Sequence, residues 1–317
     1  MTEAWRPEDD DRPRAGAGPV RVRVPAKINL HLGVGPLRAD GYHEVSTVYH
    51  AISLYDELTA RPGDTLSLTM GGEGTGELAL DSSNLVIRAA RALAARAGVP
   101  AHARLHLRKQ IPLAAGLAGG SADAAAALVA CDALWGTGLS REELAGLAAG
   151  LGADVPFLVH GGTALGTGRG EVISPVLTRP AGWHWVVAVA HGGLATPDVY
   201  RELDRLRDAG AAPPPFDEAP DELLAALRQA DPAVLGRAMH NDLEPAARSL
   251  RPELGATLDA GKAAGALAGM VSGSGPTCVF LARDAGHAAE LAAALDGAAG
   301  CRFARTATGP VPGARVL

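Results

Sequence analysis

The chain has 317 residues, 47% hydrophobic and 20% charged, which suits one large or two ordinary domains and supplies a sizeable core. Its 29 Lys and Arg against 35 Asp and Glu leave a net charge of −6, which argues against a general nucleic-acid binder. No apolar run approaches the ~18 residues of a membrane span. The opening MTEAWRPEDDDRPR has no apolar segment of the secretory kind. Three cysteines, widely spaced, fit neither a disulfide framework nor a zinc site. A cytoplasmic protein with no membrane or nucleic-acid partner is the expectation.

Residues 1–19 are polar, acidic and Pro/Gly-rich, the composition of a disordered tail. From Val20 the chain alternates as a strand through VRVPAKINLHLGV, with Pro25 at a kink or edge. A polar turn at Asp40-Gly41 follows, and EVSTVYHAISL and TLSLTM are further β-type runs. SSNLVIRAARALAARAG has helical spacing, opens at Asn84 and stops at Gly98. ARLHLRK (103–109) alternates as a strand and leads through a Gly-rich loop into an Ala-rich helix. Ser140 and Glu143 form a capping-box pattern. HWVVAVA (184–190) reads as a buried strand, and Thr196-Pro197 as an N-cap followed by the first helical residue. Residues 208–220 are a low-complexity connector. Helical patterns follow at DELLAALRQA and 251–264, then a Gly turn into the strand carrying Cys278, a helix over AGHAAELAAALDG and a last strand, CRFARTATG. Strands and helices mix without regular βαβ alternation, which favours an α+β fold. The composition breaks near 165–180, so a domain boundary at 170/171 is expected.

Basic charge is carried almost wholly by Arg. The only lysines are Lys27, Lys109 and Lys262, and the only asparagines Asn29, Asn84 and Asn241. Against such a background a Lys two residues from an Asn is a chemical signal, because Lys is a compact point charge that approaches a phosphate or hydroxyl closely. The segment PLAAGLAGGSADAAAA (112–127) is the most informative. A Gly-rich loop entering a helix places unpartnered N–H groups and a positive dipole end at one point, an anion site. Asp123 in the first turn suits the dipole but competes with a bound anion. Glycines alone leave a second reading open, a flexible loop that merely begins an Ala-rich helix. The loop has neither the GxxxxGK[ST] nor the GxGxxG pattern. Asp154 in GADVP, taken alone, is an ordinary turn or cap residue. DGYH (40–43) reads first as a hairpin turn, although a Tyr face stacks on a base and a His hydrogen-bonds one. SGSGP (272–276) is either a tight turn or a second phosphate-facing nest.

Taken in order, PAKINLHLGV, ADGYHEVSTV, PLAAGLAGGSADAAAAL, LGADVPFLV, NDLEP and SGSGPTCVF resemble the GHMP small-molecule kinases, over about residues 21–305. Within that class the chain looks like the branch whose acceptor is a cytidine-bearing methylerythritol alcohol of the non-mevalonate isoprenoid route. The resemblance implies an α+β, two-domain fold: an N-terminal domain of the ribosomal-protein-S5-like type over 20–170, an α+β C-terminal domain over 171–317, and the active site in the cleft between them. It implies Lys27 and Asp154 as the catalytic pair. Pro112, Leu113, Ala114, Ala115, Gly116, Leu117, Ala118, Gly119, Gly120, Ser121 and Ala122 would form the ATP phosphate loop, with Asn84 and Lys109 near the adenosine. Asn29, Tyr42, His43, Thr196 and Tyr200 would hold the acceptor, His43 bonding the cytosine between Tyr42 and Tyr200. Ser272, Gly273, Ser274 and Gly275 match the third glycine motif. ATP is implied as co-substrate with Mg2+ carried on it, and a monomer or homodimer. One departure stands out: Ala114, Ala115 and Ala118 occupy loop positions where the family often has glycine. Other acceptors, of homoserine or mevalonate type, and a non-catalytic ligand binder remain the alternatives.

Overall fold

The computed structural model describes residues 18–178, 182–215, 220–229, 231–298 and 300–317; residues 1–17 of the expected tail, and 216–219 of the connector, lie outside them. The first half of the chain builds a mixed sheet from β1 (Val20–Leu37), β2 (His43–Arg61), β3 (Leu66–Gly72) and β4 (Ala103–Lys109). Helices α1 (Leu85–Ala97), α2 (Gly119–Trp135), α3 (Arg141–Ala149) and α4 (Val155–His160) accompany it, and the hairpin β5 (Thr163–Thr167) and β6 (Val172–Pro175) extends it. The second half contributes β7 (Trp183–Ala190), α5 (Thr196–Asp208), α6 (Asp221–Gln229), α7 (Pro232–Ala238), β8 (His240–Asn241), α8 (Glu244–Leu250) and α9 (Glu253–Ala263). Then come β9 (Ala268–Val271), β10 (Cys278–Ala282), α10 (Ala285–Leu295), β11 (Cys301–Gly309) and β12 (Arg315–Val316).

The first sheet runs β12-β1-β2-β4-β3, with β5 on β2, β6 on β5 and β8 parallel to β1. The second runs β11-β7-β10-β9, all antiparallel. The expected α+β class is the observed one. The boundary expected at 170/171 falls inside the β5–β6 hairpin, both strands of which belong to the first sheet. The chain passes to the second sheet between β6 and β7, and β12 returns to pair with β1. A composition break could not place this boundary, because strand pairing rather than local composition decides which sheet a segment joins.

Local signals account for most elements. Asn84 caps α1 by accepting the Val86 N–H, and Gly98 ends it at φ 67°. Ser140 and Glu143 form the capping box of α3. Thr196, read as an N-cap, is the first residue of α5, and Ala195 takes the cap. Both faces of β7 are buried: Trp183, Trp185, Val187 and Val189 enter one core, Val186, Ala188 and Ala190 the other. That explains its unbroken apolar run. Helix α2 is buried almost all round, and alanine is what close packing against neighbours on every side permits.

One buried ionic group sets the ends of the glycine-rich loop. Lys109 Nζ, at the end of β4, donates to Asp56 Oδ2 (2.6 Å) on β2 and to Asp123 Oδ2 (2.7 Å), which lies just past the first turn of α2 rather than in it as expected. Asp56 Oδ1 also accepts the backbone N–H groups of Gln110 (2.5 Å) and Ile111 (2.9 Å). The side chains of Lys109 and Asp56 have no solvent exposure. Burial works against the ammonium, but two facing carboxylates outweigh it and raise its pKa. Burial pushes the Asp123 carboxyl well above the usual range. The Asp123 Oδ1 has no partner among the described residues.

Lys109→Met should cost about 3–5 kcal/mol, because two buried acids lose their cation. D123N keeps an oxygen to accept from Lys109 and should cost clearly less than Lys109→Met at neutral pH. A carboxyl whose pKa rises on folding makes stability fall as pH climbs above the ordinary carboxyl range; D123N removes that slope. Denaturant titrations at pH 5 and pH 8 test this, and a D123N loss as large as that of Lys109→Met would refute it.

Candidate active site

A cleft of about 380 Å³ lies where loops of the two sheets meet. Lys27 and Asn29 reach it from β1, Tyr49 from β2 and Asp154 from the start of α4. Thr196 and Tyr200 reach it from α5, and Gly273 and Ser274 from the β9–β10 turn.

Its floor is the glycine-rich loop. Ala114, Ala115, Gly116, Ala118, Gly119, Gly120 and Ser121 line the cleft. Leu117 and Ala122 are fully buried and, with Pro112 and Leu113, lie outside the cleft lining, so these four anchor the loop rather than face it. No side chain caps α2, so its first N–H groups face the loop as an anion site. The departure noted in the sequence has a structural counterpart. Ala114 (φ 48°) and Ala118 (φ 58°) are the only non-glycine residues with positive φ among the described residues. An alanine there costs about 1–2 kcal/mol, so the loop is strained at two points that glycine would relax.

Lys27 is held from several sides. Its Nζ donates to Asn29 Oδ1 (2.7 Å) and Gly116 O (3.4 Å), and lies 3.7 Å from Asp154 Oδ2. Asn29 Nδ2 donates to Thr47 Oγ1 (2.7 Å), which donates to His31 O (2.7 Å), so the amide is fixed with its oxygen toward the lysine. Asp154 stands at the N-cap position of α4 but makes no capping bond, which leaves its carboxylate to the cleft. Tyr49 is nearly buried, stacked on Phe157 with centroids 5.0 Å apart. Burial, then the adjacent Asp154 carboxylate, pushes the Tyr49 hydroxyl well above its ordinary pKa, so it keeps its proton and donates to that carboxylate.

Gly116 is where the two halves touch. Ser272 Oγ donates to Gly116 O (3.3 Å), and a Cβ on Gly116 would collide with Ser272 O. Asn241 shapes the partner turn: Nδ2 donates to Val271 O and Gly273 O, both at 2.8 Å. Thr196 Oγ1 and Ser274 Oγ are 2.9 Å apart across the cleft wall.

The structure does not gather every expected residue. Lys109 is a correction: its side chain is enclosed with the two acids, so it supports the loop from beneath and cannot present its ammonium to adenosine. Asn84 is spent on capping α1 and on Ala79 O (2.7 Å), away from the cleft lining. His43 is buried on the same wall as Tyr200, stacked on it at 5.2 Å, with Nε2 3.0 Å from Asp204 Oδ1. Tyr42 is exposed beside the cleft under the Arg169 guanidinium, 5.1 Å from its ring centroid. Tyr49 and Arg169 line the cleft and were missed from the sequence. The scarcity of Tyr, four in the chain, was the available clue for Tyr49; one Arg among many gave none.

An uncapped helix start behind a glycine loop, facing a Lys–Asp pair, defines a phosphoryl-transfer cleft of the small-molecule kinase type. Residues 84–162 match the family model described as GHMP kinases N terminal domain, and residues 223–300 that described as GHMP kinases C terminal. A 4-diphosphocytidyl-2-C-methyl-D-erythritol kinase from Salinispora tropica is 76% identical over 316 residues, covering 100% of both chains. A crystal structure of 4-(cytidine 5'-diphospho)-2C-methyl-D-erythritol kinase superimposes with a TM-score of 0.71 at 35% identity, covering 91% of this chain and 98% of that one. A homoserine kinase from Cytophaga hutchinsonii superimposes at 0.74 with 19% identity over 100% of both chains, a likeness of fold alone. The chain belongs to the GHMP kinases and, within them, to the family of the 4-diphosphocytidyl-2-C-methyl-D-erythritol kinases.

Ala118→Gly should relieve the left-handed strain and stabilise the protein by up to about 1 kcal/mol. Thermal unfolding reads this as a rise of a few degrees, on the order of 2–4 °C for a chain of this size. A fall in Tm would show that the backbone there is not strained.

Proposed function

We infer that the chain is an ATP-dependent kinase that phosphorylates the 2-hydroxyl of 4-diphosphocytidyl-2-C-methyl-D-erythritol, giving the 2-phosphate and ADP, in non-mevalonate isoprenoid precursor synthesis. The observation that carries this reading is the Lys27–Asp154 pair, 3.7 Å apart, at the mouth of the glycine loop. Whole-length similarity to kinases of that name supports the acceptor.

In phosphoryl transfer the protein chiefly positions groups and stabilises charge. The loop amides and the start of α2 hold the β- and γ-phosphates. Asp154 orients the acceptor hydroxyl and takes its proton as the oxygen attacks phosphorus and the bond to ADP breaks. Lys27 stands beside the transferring group and offsets its charge. Asn29 acts through Lys27, whose ammonium it fixes, and the acceptor hydroxyl lies against the pair. Tyr49 holds the carboxylate from its other side. Tyr42, His43 and Tyr200 form the wall that receives the cytosine, and Thr196 lies beside it. Ser272, Gly273, Ser274 and Gly275 close the loop from the second half.

Mg2+ is carried with the nucleotide. Among the described residues no group of three or more His, Cys, Asp or Glu side chains could hold a metal ion; an ion carried on a nucleotide is bound largely through phosphates and water. Ser121 Oγ, beside the loop, would contribute an oxygen to its shell, and the ion would neutralise phosphate charge. No helix among the described residues is long and apolar enough to cross a membrane.

The test is ADP release with Mg2+ and the cytidine-bearing acceptor, against the same alcohol without its cytidine. Turnover with only the first is expected; turnover with neither, while ATP still binds, overturns the reading. Asp154→Asn should lower kcat by on the order of 10²–10⁴ with nucleotide affinity kept, and near-normal turnover would remove Asp154 from its role. His43→Ala should raise the acceptor KM and leave that of ATP unchanged.

A further inference from the structure

Two cationic side chains, Lys27 and Arg169, line the cleft. Lys27 is committed to Asn29, Gly116 and Asp154. Arg169 is not committed in this way. It stands at the tip of the β5–β6 turn between two glycines with positive φ, Gly168 (73°) and Gly170 (103°). The turn is anchored rather than loose: the Val45 N–H donates to Gly168 O (2.8 Å), and a Cβ on Gly170 would collide with the Tyr49 hydroxyl. Only glycine permits that approach, so Arg169 is the single side chain the tip delivers.

The guanidinium lies over Tyr42, 5.1 Å from the ring centroid. Its Nε makes one long contact, 3.4 Å, with Glu171 Oε1, while Glu171 Oε2 accepts the Arg169 backbone N–H (2.6 Å). Among the described residues neither terminal amino group has an acceptor. Those two groups are the fork that binds a phosphate bidentately. The turn also spans the two ends of the cleft. Through Gly170 it rests on Tyr49, the partner of Asp154, and through Arg169 it reaches Tyr42.

The kinase reaction brings two polyphosphates into one cleft. The glycine loop and the α2 start serve ATP. A diphosphate acceptor needs its own cation, placed between the base and the alcohol. We propose that Arg169 binds the diphosphate of the acceptor and so selects a nucleoside-diphosphate-linked alcohol over a simple one. The assignment rests on the acceptor inferred above. It makes Arg169 a specificity residue, with Tyr42 as the platform that orients its fork.

Arg169→Gln and Arg169→Lys test it, both on an exposed turn where folding is little at risk. Arg169→Gln should raise the acceptor KM about 10- to 100-fold, leave the ATP KM within about two-fold, and retain most of kcat. Arg169→Lys should recover part of the loss. With cytidine 5'-diphosphate and cytidine as competitive probes, the wild type should prefer the diphosphate, and Arg169→Gln should lose that preference without weakening cytidine. No turnover of the acceptor by the wild type would remove the parent reading. Wild-type turnover with an unchanged acceptor KM in Arg169→Gln would overturn this assignment alone, and so would an equal rise in both KM values, which would place Arg169 on the nucleotide.

Discussion

A lysine buried between two carboxylates is the constraint on which the site depends. Asp56 comes from β2, Lys109 from the last position of β4 and Asp123 from just past the first turn of α2. The group therefore ties the point where the chain leaves the sheet to the point where the helix begins. Asp56 adds the backbone N–H groups of Gln110 and Ile111, so the first residues after the strand are held as well. An ammonium without exposure has no solvent to turn to, and either acid without it is an uncompensated buried group. The ends of the loop are thus fixed far more tightly than any glycine-rich segment could fix itself.

Between those fixed ends the loop is held in a conformation it does not prefer. Two alanines sit at positive φ, and Gly116 presses against the β9–β10 turn so closely that no Cβ fits. The oxygen of Gly116 receives Lys27 from one half and Ser272 from the other. One peptide thus registers the two halves against each other and against the reacting pair. Strain of this kind persists only where the surroundings overdetermine it, and here they do so from beneath and from both sides.

Charge is distributed so that each anionic group entering the cleft has its own partner. The helix start and loop amides provide for one set of phosphates without a formal positive charge. Lys27 lines the cleft, kept in place by a relay of neutral polar groups through Asn29 and Thr47 to His31 O. Asp154 is spared from capping its own helix and is steadied instead by Lys27 and Tyr49. Arg169 supplies the second fixed charge, on a turn stiffened by two glycines and one backbone bond.

Sequence alone determined the α+β class, most helix starts and stops, the loop and the Lys27–Asp154 pairing implied by the family resemblance, because caps, periodicity and short motifs are local. The rarity of Lys and Asn was informative too. Lys27 and Asn29 meet in the cleft, Asn84 caps a helix and Asn241 shapes the opposing turn. What rarity could not reveal was the kind of work, and Lys109, read as a nucleotide contact, proved to be buried support. Only the tertiary structure decided that, because Asp56 lies 53 residues from Lys109 and nothing local in either segment announces the other. The same holds for the domain boundary, set by which strands pair, and for Tyr49 and Arg169. Each acquires its role from a partner distant in sequence, and a side chain's charge is legible in the chain while its neighbours are not.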